Sequence, residues 1–367
     1  MRLRDALPLT AGSCRALRGH DACVAGPGSG QGAARWRGMR RIDEKLANIT
    51  SGNYGPRDFI MTFGKDADLL RGCSATGVDA QGRPRPLAAY RADVKRVIES
   101  DQADIVLTSL STAEMLAESG AYSHSSVTPA VRLNDPTDRW RVRGGAYPAY
   151  PALPFRSSRL DAVKPVSNLG LYGLTFYNDP VQDHATLQAY SDFRDLANRV
   201  GIRHFLQLSD PSFRIDTGDV DYAAYRNDIL IRSLAGIARR ERPVFIEVDY
   251  HGPASMEELA NWHPAKLVVG ITGCAGGTTR DCLERLAQAE KHGARLASFS
   301  RESFVCEDPV LMLAAMRRIV REGMSSFEAV KAYHDDLRRE GLTPNRALQD
   351  DAELTCPLLK AHTDRAA

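Results

Sequence analysis

The stretch Pro243–Arg301 constrains the fold more than any other part of the chain. Pro243-Val-Phe-Ile-Glu-Val-Asp-Tyr250 is an apolar run of strand length that ends in charge. Leu267-Val-Val-Gly-Ile-Thr-Gly273 is a second such run, and it breaks into the glycine-rich turn Gly273-Cys-Ala-Gly-Gly-Thr278. Asp281–His292 places Leu283, Leu286, Ala287 and Glu290 three or four residues apart, the spacing of one helix face. Gly293–Ser300 reads as a third strand, closed by Arg301. Strands that alternate with helices and end in polar groups predict a parallel α/β enzyme with its site at the strand C-termini.

The same rhythm extends upstream. Strands are expected at Phe59–Phe63, Asp104–Ser109, Val127–Asn134, Leu169–Asn178 and His204–Ser209. Helices are expected over Ile42–Ile49, Ala88–Ser100, Thr112–Glu118, Gln182–Val200 and Tyr222–Arg239. Two more close the series, Asp308–Glu322 and Ser325–Arg339, with Ser325 or Ser326 as N-cap. Eight strands in one series favour a closed (β/α)8 TIM barrel of a single domain, with a long insertion after strand three over about Asp135–Asn168. Insertions of that length are often lids or subunit contacts. No Gly-x-Gly-x-x-Gly follows the first strand, so the open doubly wound sheet is the weaker alternative.

The barrel is expected to occupy residues 39–342, which leaves residues 1–38 and 343–367 outside it. Residues 1–38 hold six Arg and two Asp and little periodicity, as a transit peptide or an over-extended start would. With Met39 opening the folded protein, the second reading is the simpler. The tail from Thr343 is expected to be weakly held.

Composition excludes several classes. The net charge of +2 becomes −2 once the +4 of residues 1–38 is removed, so the folded part has no basic field for nucleic acid. Seven Cys form no Cys-x-x-Cys pair, which argues against a disulfide framework or a structural zinc and suits a reducing cytoplasm. No apolar run approaches the roughly 18 residues of a membrane helix.

At the barrel mouth the expected polar groups include Lys65, Asp66, Arg132, Asn134, Ser209, Asp210, Glu247, Asp249, Tyr250 and His251. Glu247 and Asp249, two apart on a strand, should share a face. Inside a barrel they could do acid–base work, bind a divalent cation, or pair with a cation such as Lys65 or Arg132. Lys65 could be a Schiff-base nucleophile if desolvated, or a charge partner and substrate clamp whose pKa Asp66 and Glu247 would raise. His204 and His251 read as packed or loop residues rather than catalysts. Gly273, Gly276, Gly277, Ser300 and Arg301 are the candidate phosphate cradle, because loops after strands seven and eight often bind phosphate. The alternative is that these glycines only make tight turns.

The last third, Leu267–Thr278, Leu283–Gly293 and Ala297-Ser-Phe-Ser-Arg-Glu-Ser-Phe-Val-Cys-Glu-Asp-Pro309, resembles the class I aldolases of the DeoC/DhnA/LsrF type, an aldolase-like TIM-barrel family. Arg301 matches the family's arginine after strand eight, and Ser300 replaces its glycine. The resemblance runs over about Pro243–Tyr333. It implies a lyase, a phosphorylated small-molecule substrate and a homo-oligomer. It also implies a Schiff-base lysine on strand six, and there the chain departs from the family. Glu247 occupies that position, and a carboxylate cannot form an imine.

The expected function is therefore an aldolase-like enzyme acting on a small phosphorylated or carboxylated carbonyl compound. Glu247 or Asp249 would move the proton, and Lys65 and Arg132 would hold the anion. No cofactor and no metal site are expected. The alternatives are a catalytically inactive aldolase paralogue that serves as a ligand-binding or scaffold protein, and a metal-dependent lyase.

Overall fold

A computed structural model describes residues 41–78, 81–273, 277–299 and 306–363. Eight parallel strands form the closed ring β1-β8-β7-β6-β5-β4-β3-β2. They are β1 (Ile60–Lys65), β2 (Ile105–Thr108), β3 (Thr128–Arg132), β4 (Leu169–Leu174), β5 (Arg203–Leu208), β6 (Ile246–Val248), β7 (Val269–Thr272) and β8 (Leu296–Ser298). Each lies where the sequence places a strand. The helices are α1 (Arg41–Thr50), α2 (Leu87–Ser100), α3 (Leu110–Glu118), α4 (Pro180–Val200) and α5 (Tyr222–Ala235). They continue with α6 (Pro253–Trp262), α7 (Thr279–Lys291), α8 (Pro309–Glu322) and α9 (Ser326–Arg339). This is a (β/α)8 TIM barrel.

Side chains alternate along each strand, so the ring makes two cores. Met61, Phe63, Val106, Leu206, Ile246, Val269 and Ala297 face outward and pack under the helices. Ile60, Ile105, Leu169, Phe205, Phe245 and Leu296 fill the lower interior, closed from below by Ile42 and Ile49 of α1. Lys45 and Arg41 of α1 hold the buried Asp104 at 2.8 Å and 2.7 Å. Higher in the ring the interior turns polar, with buried Thr62, Arg132, Glu247, Thr272 and Ser298. Gly173 on β4 and Gly270 on β7 leave room there. A Cβ on Gly173 would lie 3.0 Å from Pro136, and one on Gly270 would lie 2.4 Å from the Leu296 carbonyl oxygen.

Helix starts follow their capping chemistry. Asp179 caps α4 through the N–H groups of Val181 and Gln182, and Asp308 caps α8 through Val310 and Leu311. Ser325, not Ser326, caps α9, in a capping box with Glu328.

Two expectations need correction. The run Leu169–Asn178 stays in the sheet only to Leu174, where its partner strand also ends at Leu208, and Asn178 with a left-handed φ of 54° precedes the turn into α4. The tail after Thr343 is not weakly held. Short helices Leu348–Asp351 and Pro357–Thr363 pack on the barrel, with Asp351 and Leu359 buried.

The insertion after β3 folds across the mouth. Asp135–Pro136 pairs antiparallel with Pro154–Phe155, and Trp140 packs edge-on against Tyr147 and Phe155. The Arg141 N–H donates to the Leu70 carbonyl at 2.7 Å, and the Ser212 hydroxyl donates to the Asp138 carbonyl at 2.7 Å. The strap thus joins the segment after β1 to the segment after β5. Among the described residues no helix is long and apolar enough to cross a membrane.

Candidate active site

The strand C-termini surround a pocket of about 410 Å³. Its floor is a charge cluster. Arg132, at the end of β3, is buried and bonds the Asp66 carboxylate through Nε, with Asp135 at 4.0 Å. Its Nη2 donates a long 3.4 Å hydrogen bond to Gln207 on β5. Glu247, paired across the sheet with Gln207 and Gly270, points into the ring beneath this layer. It has no exposed surface. Neither carboxylate oxygen makes a full hydrogen bond among the described residues. Burial pushes its pKa up to about 8; Arg132 and the Ser298 hydroxyl pull it down, and Asp66 pushes it further up. At neutral pH Glu247 is largely a neutral acid.

The rim is built from β5, β6 and β7. Asp249 accepts from the Thr272 hydroxyl and, at 3.2 Å, from the Asp210 N–H. Asp210 accepts from Tyr222 at 3.1 Å and pairs with His251 Nε2 at 2.7 Å. Burial pushes Asp210 up, but the hydrogen bond from His251, with Arg226 and Tyr222 nearby, outweighs it and holds the carboxyl below its usual range. Arg226 of α5 is buried behind this rim and donates to the Asp249 carbonyl.

Arginines dominate the walls. Arg71 follows β1, Arg139 and Arg141 come from the strap, and Arg285 projects from α7. With Arg132 they face three aspartates, Asp66, Asp210 and Asp249. A pocket with this excess of guanidinium favours an anionic ligand, since guanidinium forks match carboxylate and phosphate oxygens.

The described ends of the glycine-rich turn behave differently from a phosphate cradle. Gly273 lines the pocket. Gly277 has a φ of +106°, and a Cβ there would lie 2.5 Å from the Asp281 carboxylate. The N–H groups of Thr278 and Thr279 donate to Asp281 and Asp351 at 3.1 Å and 2.9 Å. Asp281 N–H donates to Thr278 Oγ1 at 3.1 Å. The start of α7 is thus capped by the protein's own carboxylates, one of them from the tail. Asp281 also accepts from Thr355 and from the Cys356 N–H at 3.1 Å, tying the tail down. Asp281→Ala is expected to cost about 2–3 kcal/mol, since charge-assisted hydrogen bonds contribute about 1.5–3 kcal/mol. Limited proteolysis should then cut near Thr343 at least tenfold faster; an unchanged rate would show that the tail is held without it.

Gly276, Ser300 and Arg301 lie outside the described residues. Lys65 reaches the pocket, but its ammonium lies on the outward face of β1, 4.9 Å from the Tyr90 ring centre and 5.8 Å from that of Phe63. Burial lowers its pKa, against the raising effect of Asp93 and Cys306. The neighbours expected for it, Asp66 and Glu247, belong to the other face. His204 is a packed residue, bonded to Tyr190 at 2.9 Å and pushed down to about 3 by burial. Among the described residues no group of three or more His, Cys, Asp or Glu is placed to hold a metal ion.

Sequence reading finds Asp66, Arg132, Asp210, Asp249 and His251 at the mouth, and misses Arg71, Arg139, Arg141, Gln207 and Arg285. Gln207 carried a usable signal, as the inward neighbour of Phe205 on one strand. The arginines carried none, because surface arginines on loops and helices are common.

No family model matches the chain, and no curated protein matches it in sequence. Solved structures do. An archaeal fructose 1,6-bisphosphate aldolase superposes with a TM-score of 0.53 at 16% identity, over 77% of this chain and 100% of that one. Another archaeal structure, with the catalytic Lys covalently bound to the carbinolamine intermediate, gives 0.53 at 18% identity, over 76% and 99%. The fructose-bisphosphate aldolase from Slackia heliotrinireducens gives 0.57 at 11% identity, over 81% and 92%. At these identities the likeness is one of fold.

Proposed function

We propose that this barrel is an aldolase-type lyase that works without an imine, on a small anionic carbonyl compound. The observation that carries the reading is Glu247: an inward carboxyl with no full hydrogen bond among the described residues and its pKa pushed up to about 8. A buried carboxyl held by so little costs stability, and such costs are retained where chemistry needs them. The arginine walls support an anionic substrate, phosphorylated or carboxylated. The likeness to barrels described as fructose-bisphosphate aldolases supports C–C cleavage or the related enolisation.

In this reading the long Arg132–Gln207 contact opens to admit a substrate oxygen. Arg132 steadies the charge that develops on that oxygen, and neutral Glu247 gives it a proton. A second reading, a barrel that binds ligand without turning it over, has one observation in its favour: Glu247 lies beneath the pocket with no exposed surface.

A retro-aldol and proton-exchange panel on small sugar phosphates and oxo acids separates the two. Glu247→Gln should lower turnover by about 10²–10⁴-fold, the usual contribution of a positioned acid or base. Borohydride should trap no adduct. Binding without turnover by the wild type would establish the second reading, and an imine trapped on Lys65 would replace the mechanism.

A further inference from the structure

Acid chemistry at Glu247 leaves half of the reaction unassigned. When a carbonyl oxygen takes a proton from Glu247, another group must remove one from carbon or from a hydroxyl. Glu247 is sealed from water, so a proton it took up would return to substrate rather than mix with solvent.

We infer that His251, held by Asp210, is the base that completes the reaction; the inference rests on the reading of Glu247 as the acid. His251 follows Glu247 by four residues, so the two stand at most about 13 Å apart along the chain. Both side chains belong to the mouth end of β6, and a carbonyl compound between them would offer its oxygen to Glu247 and its α-carbon to His251. The imidazole is oriented on two sides. Its Nε2 meets Asp210 Oδ2 at 2.7 Å, and its ring stands edge-on to Tyr222 at 5.5 Å. With Nε2–H donating to the carboxylate, the neutral ring carries its lone pair on Nδ1. Nδ1 makes no hydrogen bond among the described residues. The side chain is 30% exposed, so it opens both to the pocket and to water.

The charged and titratable groups around it are Asp210, Tyr222 and Asp249. Arg226 lies behind them, Arg139 bonds the Asp210 carbonyl at 3.3 Å, and His362 stands beside Gly252. Asp210 is thus a positioning residue: it fixes the tautomer and stabilises the imidazolium.

The step balances. The C–H bond α to the carbonyl breaks and its proton goes to Nδ1. The electron pair forms the C=C bond of an enol, and the carbonyl π pair takes the proton from Glu247. In cleavage, Nδ1 takes the hydroxyl proton instead, and the same electrons flow through the breaking C–C bond. The imidazolium then exchanges its proton with water.

The test is proton NMR in D2O with dihydroxyacetone phosphate, glyceraldehyde 3-phosphate and pyruvate as probes. Wild type should exchange α-protons for deuterium with at least one of them. His251→Gln should slow exchange about 100-fold. His251→Ala should recover at least tenfold on addition of imidazole, which a purely structural histidine would not show. Asp210→Asn should slow exchange about tenfold. If Glu247→Gln stops exchange while His251→Gln and His251→Ala exchange as the wild type does, the inference falls and the Glu247 reading stands. If the wild type exchanges with none of the probes, the Glu247 reading falls and this one with it.

Discussion

Glu247→Gln is expected to become steadily more stable than the wild type as pH rises from about 4.5 to about 8. The ordinary carboxyl titrates near 4.5, and burial moves Glu247 to about 8. Between those values the folded protein keeps a proton that the unfolded chain has released. Stability therefore falls as pH rises through the window, by about 1.4 kcal/mol per pH unit from this group alone. Above the folded pKa the loss is complete and the curve flattens. Glutamine keeps the shape and carries no titration, so the wild-type-minus-variant difference isolates the group. Urea unfolding of both proteins at intervals from pH 4.5 to 9 should show a gap that widens by several kcal/mol and then levels. A gap that stays constant would mean Glu247 ionises as an exposed carboxyl does, and the acid role would be lost. The same titration predicts that turnover declines above about pH 8, where the acid has lost its proton.

Arg132→Met should destabilise the fold by about 3–5 kcal/mol, the usual result of stripping a buried charge of its partner. Arg132 is in bonding contact with Asp66, and it also offsets Asp135 and Glu247. Methionine matches its apolar stem and strips the Asp66 carboxylate, 3% exposed, of the Arg132 charge. Adding Asp66→Asn removes that charge, so the double variant should regain most of the stability. Inorganic phosphate binding, followed by calorimetry, should stay lost in the double variant. If the double variant is no more stable than Arg132→Met, the cluster is not held by the charge pair. If phosphate binds it normally, the anion site lies elsewhere along the arginine wall.

The barrel was legible because its signal is local. Apolar runs bounded by glycine and charge mark each strand, and three-and-four spacing marks each helix. That Glu247 shares a face with Phe245 and Asp249 follows from the sequence; that this face is the interior does not. Lys65 was open in the same way. Every residue of Ile60–Lys65 is buried, so the run gives no polar face to say which side is the interior. The tail was misread for a related reason. Its anchors are hydrogen bonds to Asp281 and the His334–Asp351 pair at 3.0 Å, which leave no apolar period in the chain.

The sequence by itself determined eight strands, their order and an acid two residues after Phe245 on the sixth of them, because backbone periodicity and covalent position belong to the chain alone. Only the tertiary structure decided that burial holds this acid's pKa up to about 8 and that arginines from three distant segments line the pocket above it. Desolvation and charge proximity arise between residues far apart in sequence, and closing the ring is what creates them.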